Sequence, residues 1–253
     1  MKTLVVMPAY EEWENLAELG NKMDEILSSR SDNLRWVVVC EPHSREQVDT
    51  RTVAFESTFK AEVIARPLGQ ESFADAIQIG INSLDEDDEA IIFLDADQSH
   101  DPSVIPKLLD VLRSDRSVDV AIASRYTRGG STDNGRLLRL MSISLNVVYR
   151  LVLGIQASDL STNFKIFRAE LLRGARLEST NFEVVEELLM HARERRRIAG
   201  KDLQVREIPD RFYVRKHGIS KRRLGQFIGT YLISLAITQR RVARSYRNSS
   251  LGR

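Results

Sequence analysis

The sequence predicts an α/β protein, a mainly parallel sheet with helices on both faces, followed by a C-terminal amphipathic helix. Three observations carry this reading. Short β-branched runs alternate with helical patterns through the first half of the chain. The runs are apolar at consecutive positions, as expected of strands covered on both faces. No internal repeat and no long Gly/Ser linker divides the 253 residues, which suits one domain with an appendage.

The elements follow in order. Leu4-Val5-Val6-Met7 reads as a strand and Glu12 to Leu27 as a helix, with Leu16, Leu19, Met23, Ile26 and Leu27 on one side. Trp36 to Cys40 and Glu62 to Ala65 are the second and third strands. Ser72 to Leu84 is helical, with Phe73, Ala76, Ile77 and Gly80 at helical spacing. Ala90 to Leu94 is a strand, Pro102 to Leu112 a helix and Val118 to Ala123 a strand. A turn-rich loop at 129–135 precedes a helix over Arg136 to Leu153. Phe164 to Phe167 fits a short strand, Asn181 to Arg197 a helix and Gln204 to Ile208 a strand stopped by Pro209. The last pattern, from about Lys221 to Tyr246, places Leu224, Phe227, Ile228, Tyr231, Leu232, Leu235 and Ala236 on one face between arginines. The expected division is a main α/β domain over 1–221 and a basic amphipathic tail over 222–253.

Composition removes several classes. Hydrophobic residues make up 42% and charged residues 29%, which excludes a collagen-like or wholly disordered chain. Cys40 is the only cysteine, so no intrachain disulfide and no multi-cysteine zinc site can form. A reducing setting and a chain without a secretory leader are expected. The longest apolar run of the tail, Tyr231 to Ile237, falls far short of the roughly 20 residues a span needs. Charge is uneven: eleven of the 37 Lys/Arg and none of the 36 Asp/Glu lie at or after Arg211. A basic tail suits nucleic acid, anionic lipid or a phosphorylated substrate.

In open parallel sheets, ligands bind beyond the carboxyl ends of the strands. Pro8-Ala9-Tyr10, Glu41-Pro42-His43, Arg66-Pro67, Asp95-Ala96-Asp97 and Ser124-Arg125-Tyr126 follow successive predicted strands. Asp95 and Asp97 would repel each other unless a cation or water lay between them. A hard divalent ion, Mg²⁺ or Mn²⁺, resolves the repulsion with diphosphate oxygens completing its shell; a solvated turn with capping aspartates is the other reading. A calcium loop is excluded, because His100 stands where glycine is required and Pro106 where the bidentate glutamate belongs. Neither a Walker sequence nor a G-x-G-x-x-G follows the first strand, which excludes two common nucleotide-binding classes.

A longer series of motifs runs through the chain. It comprises Met7-Pro8-Ala9-Tyr10-Glu11-Glu12, Asp95-Ala96-Asp97-Gln98-Ser99-His100-Asp101-Pro102, Ser124-Arg125-Tyr126 with Gly129-Gly130, and Arg139-Leu140-Met141-Ser142 with Asn146. Asp159 to Lys165, Glu207-Ile208-Pro209 and Arg215 to Lys221 complete it. In this order the motifs resemble the family 2 glycosyltransferases of GT-A fold, and within them the polyprenol-phosphate (dolichol-phosphate) mannosyltransferases. The resemblance implies that Pro8, Tyr10 and Glu12 lie against the nucleotide, with Glu41 replacing one of the acids usual after the second strand. It implies metal and diphosphate roles for Asp95, Asp97 and Ser99, and groups around the lipid phosphate at Arg125, Arg139 and Ser142. Asp159 opens the acceptor segment, and Arg215 and Lys221 belong to a loop over the phosphates. Two departures stand out: Cys40-Glu41-Pro42-His43 replaces a two-aspartate turn, and Ser72-Phe73-Ala74 replaces Gly-Leu-Gly.

The activity so implied is inverting transfer of a hexose from a nucleotide sugar to polyprenyl phosphate. GDP-mannose is the favoured donor and UDP-glucose the alternative. The enzyme would work from the cytoplasm, peripheral to the inner membrane face, with the terminal helix in the headgroup region; the rival reading packs that helix on the domain or a second subunit. Two other classes stay open: transfer to a sugar hydroxyl, with Asp159 or a neighbour as base, and an inactive nucleotide-sugar-binding module. Nucleic acid is not an expected partner, since the tail lacks interleaved aromatics.

Overall fold

The computed structural model describes residues 1–10, 12–27, 30, 32–42, 61–180, 182–213, 237, 240, 241 and 244. A seven-stranded sheet runs in the order β3-β2-β1-β4-β7-β5-β8. Its strands are β1 (Lys2–Pro8), β2 (Asn33–Cys40), β3 (Glu62–Ala65), β4 (Ala90–Phe93), β5 (Val120–Ser124), β7 (Lys165–Arg168) and β8 (Val205–Pro209). All pair in parallel except β7, which lies antiparallel between β4 and β5. A small second sheet joins β6 (Ser131–Thr132) to β9 (Arg211–Phe212).

Helices cover both faces, as the continuous apolar strands require. Beneath one face, Leu4, Val6, Ile91, Phe93 and Phe167 pack with α2 (Phe73–Asn82), α4 (Arg136–Leu153) and α5 (Val184–Ile198). On the other, Val5, Met7, Ile92 and Ile166 meet α1 (Trp13–Leu27) and α3 (Ile105–Ser114). Each fully buried aliphatic side chain contributes about 1.5–3 kcal/mol by leaving water. Helix α2 approaches the sheet so closely that a Cβ on Gly80 would lie 2.3 Å from Val6 Cγ1. Its N-terminus is closed by a capping box: Asp75 N–H donates to Ser72 Oγ at 3.1 Å and Ser72 N–H to Asp75 Oδ2 at 2.9 Å.

Several boundaries move from the sequence expectation. β2 begins at Asn33 rather than Trp36, and α2 ends at Asn82 rather than Leu84. α5 begins at Val184 rather than Asn181, because Glu183 Oε1 accepts from Thr180 N–H and shapes a turn there. α3 is entered through a 3₁₀ turn, Pro102–Val104, capped by Asp101. Among the described residues no helix is long and apolar enough to cross a membrane. Most of the expected terminal helix, and the boundary at 221/222, fall outside the described residues. Residues 237, 240, 241 and 244 are helical, and Arg241 reaches the domain, pairing with Glu187 at 3.3 Å.

Candidate active site

The carboxyl ends of β1, β2, β3, β4, β5 and β8 share one sheet edge, and antiparallel β7 starts from it. Asp95 leaves this edge just beyond β4. Its Oδ1 accepts from Asn163 Nδ2 at 2.9 Å, which ties it to the segment entering β7. Asp97, only 5% exposed, accepts from Ser99 N–H at 3.0 Å and from Ser99 Oγ at 2.5 Å. Between them Gln98 has φ +58°, the only positive φ at a non-glycine among the described residues. Such a conformation costs about 1–2 kcal/mol in a residue with a Cβ. Its side chain is held by α1: Nε2 donates to Asn15 O at 3.1 Å and Glu18 Oε2 at 3.0 Å, and Oε1 accepts from Lys22 Nζ at 2.8 Å.

The donors offered by Asp95, Asp97 and Ser99 are all hard oxygens, two of them on carboxylates, which fits a divalent cation. The described residues hold a denser acidic group, Asp85, Asp87 and Asp88, at the opposite edge before β4. Lys2 Nζ meets Asp87 at 2.6 Å and Asp85 at 3.1 Å, and Arg35 meets Asp88 at 2.8 Å, so cations of the chain already answer it.

Beyond β5 stands a buried ion pair. Arg125 Nε and Nη2 donate to the two oxygens of Asp159 at 2.7 Å each, and its backbone N–H adds a third bond at 2.9 Å. Asp159 is fully buried. Burial would raise its carboxyl, but the charge and hydrogen bonds of Arg125 outweigh that and hold it below the usual range. For Arg125, likewise, burial pulls downward and Asp159 pulls the guanidinium upward by more. Glu207 fixes the loop from below, accepting from Ser158 N–H and Asp159 N–H. The turn after Arg125 needs glycine, since a Cβ on Gly130 would lie 2.3 Å from Ser124 O.

Helix α4 is fastened to the same loop by Asn146. Its Oδ1 accepts from Leu160 N–H at 2.6 Å and Ser161 N–H at 3.0 Å, while Nδ2 donates to Ser161 Oγ at 3.0 Å and Ser142 O at 2.9 Å. Ser161 Oγ in turn accepts from Arg125 at 3.0 Å. Ser142 and exposed Arg139 therefore sit on a helix whose position is referred, through Asn146 and Ser161, to Arg125. The outer face of α4 is apolar: Leu137, Leu140 and Leu151 are 60–75% exposed, with Ile143 and Val147 beside them.

On the other flank, Pro8 ends β1, Tyr10 is half-exposed and Glu12 accepts from Asn15 Nδ2. Glu41 is buried after β2. Arg215 and Lys221 lie outside the described residues. The fold thus brings Pro8, Tyr10, Glu12, Glu41, Asp95, Asp97, Ser99 and Arg125 to one edge, with Ser142 linked to it through Asn146 and Arg139 exposed further along α4. It sets Asp159 beneath them, with both carboxylate oxygens bonded to Arg125.

A model of the glycosyl transferase family 2 domain matches residues 4–174. The chain belongs to glycosyl transferase family 2. Within that family it is 31% identical over 235 residues to a dolichol-phosphate mannosyltransferase of Pyrococcus furiosus, covering 92% of this chain. It spans 62% of that relative's length. An undecaprenyl-phosphate mannosyltransferase of Micrococcus luteus is 28% identical over 71% of each chain. Among solved structures, glucosyl-3-phosphoglycerate synthase from Mycobacterium tuberculosis in complex with UDP superposes with a TM-score of 0.67 at 17% identity, covering 96% of this chain and 80% of that one. Mannosyl-3-phosphoglycerate synthase from Rubrobacter xylanophilus gives 0.63 at 13%, covering 99% and 75%. The match confirms the expected GT-A architecture of the family.

Sequence reasoning missed four supports of this family 2 site. His100 Nδ1 meets Asp210 Oδ2 at 2.6 Å across 110 residues, between Phe164 and Phe212. Asn163 holds Asp95. Buried Lys165 donates to the carbonyls of Leu160 and Thr162; burial lowers its ammonium to about 8 despite the pull of Glu186 and Asp159. All four, His100, Asn163, Lys165 and Asn146, stand in the motif series, but nothing along the chain marks Asn146 as the joint between helix and loop.

Proposed function

We propose that this family 2 protein transfers a hexose, mannose favoured, from a nucleoside diphosphate sugar to the phosphate of a polyprenyl monophosphate, with inversion. The observation that carries the reading is the placement of charge. The acidic turn and the cationic Arg125 lie at one sheet edge, and the only acid of the acceptor segment is committed to Arg125. An acceptor hydroxyl would need a base, which Asp159 in its ion pair does not supply. A phosphate monoester, with a second pKa near ~6, is already ionised and needs positioning and screening instead. Arg125, Arg139 and Ser142 are suited to that.

Asp95, Asp97 and Ser99 would hold Mg²⁺ or Mn²⁺, which when bound would act as a Lewis acid on the leaving diphosphate. The chain's own residues do the rest. Pro8, Tyr10, Glu12 and Glu41 border the place for the base and ribose; the names of the relatives favour mannose, and the family resemblance favours GDP over UDP. Arg125, whose Nε and Nη2 are engaged by Asp159 and Ser161, offers Nη1 to the incoming phosphate, and Arg139 and Ser142 bring its lipid end to α4. Arg215 and Lys221, outside the described residues, keep the diphosphate role that the resemblance gives them. Leu137, Leu140, Ile143, Val147 and Leu151 form an apolar strip with Arg136, Arg139 and Arg150 on the same helix, a pattern suited to the headgroup boundary of a membrane. This strip is a second membrane contact beside the terminal helix, which lies mostly outside the described residues.

The test pairs labelled GDP-mannose or UDP-glucose with a short polyprenyl phosphate and Mn²⁺. Metal-dependent glycolipid formation is the expected result. Transfer to a sugar acceptor without glycolipid would replace this reading with the hydroxyl one, and nucleotide binding without any transfer would leave the binding module.

A further inference from the structure

Gln98 occupies a backbone conformation that favours glycine or asparagine, yet it carries a long side chain and that side chain is buried. All three hydrogen bonds of its amide given above go to α1, to Asn15, Glu18 and Lys22. The residues on either side are Asp97 and Ser99, whose mutual hydrogen bonds close the turn. Relaxing Gln98 to an ordinary conformation swings the 98–99 peptide, which carries the N–H that Asp97 Oδ1 accepts. Glutamine here thus places strain next to a carboxylate and a latch opposite it.

We infer that Gln98 is a positioning residue: its amide, latched to α1, holds residues 97–99 in a disfavoured turn and so sets the direction of the Asp97 carboxylate. The inference rests on the reading of Asp95, Asp97 and Ser99 as cation ligands. It also ties the two halves of the donor site mechanically, because Asn15, which receives Gln98 through its carbonyl, donates through its side chain to Glu12. α1 therefore acts as a common rail for the nucleotide end and the diphosphate end. Lys22 enters the same device, since its ammonium holds Gln98 Oε1 at 2.8 Å and Glu18 at 3.0 Å.

Three variants of the full chain test this: Gln98→Ala keeps the strain and loses the latch, Gln98→Gly loses both, and Lys22→Met weakens the latch from outside the turn. Free Mn²⁺ is titrated by electron paramagnetic resonance in the absence of donor, and amide exchange is followed across residues 97–100. Gln98→Ala is expected to weaken Mn²⁺ binding about tenfold, the range for partners that orient a ligand, with faster exchange at Ser99. Gln98→Gly weakens Mn²⁺ binding by a smaller factor and keeps a higher Tm than Gln98→Ala, because glycine accepts the turn without strain. Lys22→Met shifts affinity in the same direction by a smaller factor and remains informative should the Gln98 variants misfold. Mn²⁺ affinity of Gln98→Ala within about twofold of wild type, a difference too small for a ligand-orienting role, overturns the inference alone. A wild-type chain that binds no Mn²⁺ overturns the cation reading and the inference together.

Discussion

Arg125 and Asp159 meet through two parallel hydrogen bonds of 2.7 Å in the interior of the protein, with the carboxylate wholly inaccessible to water. Buried pairs of this kind add little net stability, because desolvation offsets attraction. What the pair does is hold the planar guanidinium in one orientation at the sheet edge. Breaking it from the carboxylate side is costly. Asp159→Asn leaves a buried charge without its counter-ion and is expected to lower unfolding free energy by about 3–5 kcal/mol, measured in urea. The double variant Asp159→Asn with Arg125→Gln recovers part of that loss but not transfer activity.

Arg139 and Ser142 should divide binding from chemistry in a recognisable way. Each alanine variant is expected to raise KM for polyprenyl phosphate about tenfold, a loss of about 1.4 kcal/mol, with donor KM little changed. Asn146→Ala should do the same and also lower stability, since it leaves the amides of Leu160 and Ser161 without their acceptor. An equal rise in donor KM would count against an acceptor role for this helix.

Asp97→Asn tests the acidic turn. Wild type in Mn²⁺ with a nucleoside diphosphate at about 100 times Kd is expected to gain about 2.7 kcal/mol of stability, visible as a rise in Tm. The variant and the wild type in EDTA should both lack that rise while remaining folded. A metal-independent rise of the same size would remove the cation from the site.

Glu187 makes stability depend on pH. Burial pushes its carboxyl up, but His191, Ser179, the Glu178 amide and Arg241 hold it down to about 2 against an ordinary 4.5. Its folded value lies below its unfolded one, so the stabilisation is complete above pH 4.5 and is lost as pH falls from there toward about 2. Urea midpoints between pH 2 and pH 6 should fall steeply for wild type and less steeply for Glu187→Gln, which is also less stable at neutral pH.

The exposed strip on α4 predicts membrane affinity. Leu140→Glu with Leu151→Glu should abolish flotation with vesicles containing anionic lipid, with Tm unchanged because neither side chain packs in the core. Undiminished flotation would assign the membrane contact elsewhere.

Much of this was legible along the chain. Continuous apolar runs marked β1, β2, β4 and β5 because both faces of a parallel sheet exclude water, and the residues just after them were the ones the fold gathers. The basic helical pattern to which the lipid contact was assigned lies mostly outside the described residues, while on α4 the sequence reading took up Arg139 and Ser142 but not Leu137, Leu140, Val147 and Leu151, which recur at helical spacing. The spacing was visible; whether that face would be covered was not.

The sequence by itself determined the layered α/β architecture, the acidic turn at the end of β4 and the family, because period and motif order are properties of neighbouring residues. The tertiary structure alone decided that β7 enters the sheet antiparallel, that Asp159 serves Arg125 and that Asp210 faces His100. It also decided that Gln98 is latched to α1. Those pairings join groups 34 to 110 residues apart, and a charge or amide acquires its role only from the partner that burial brings within hydrogen-bond reach.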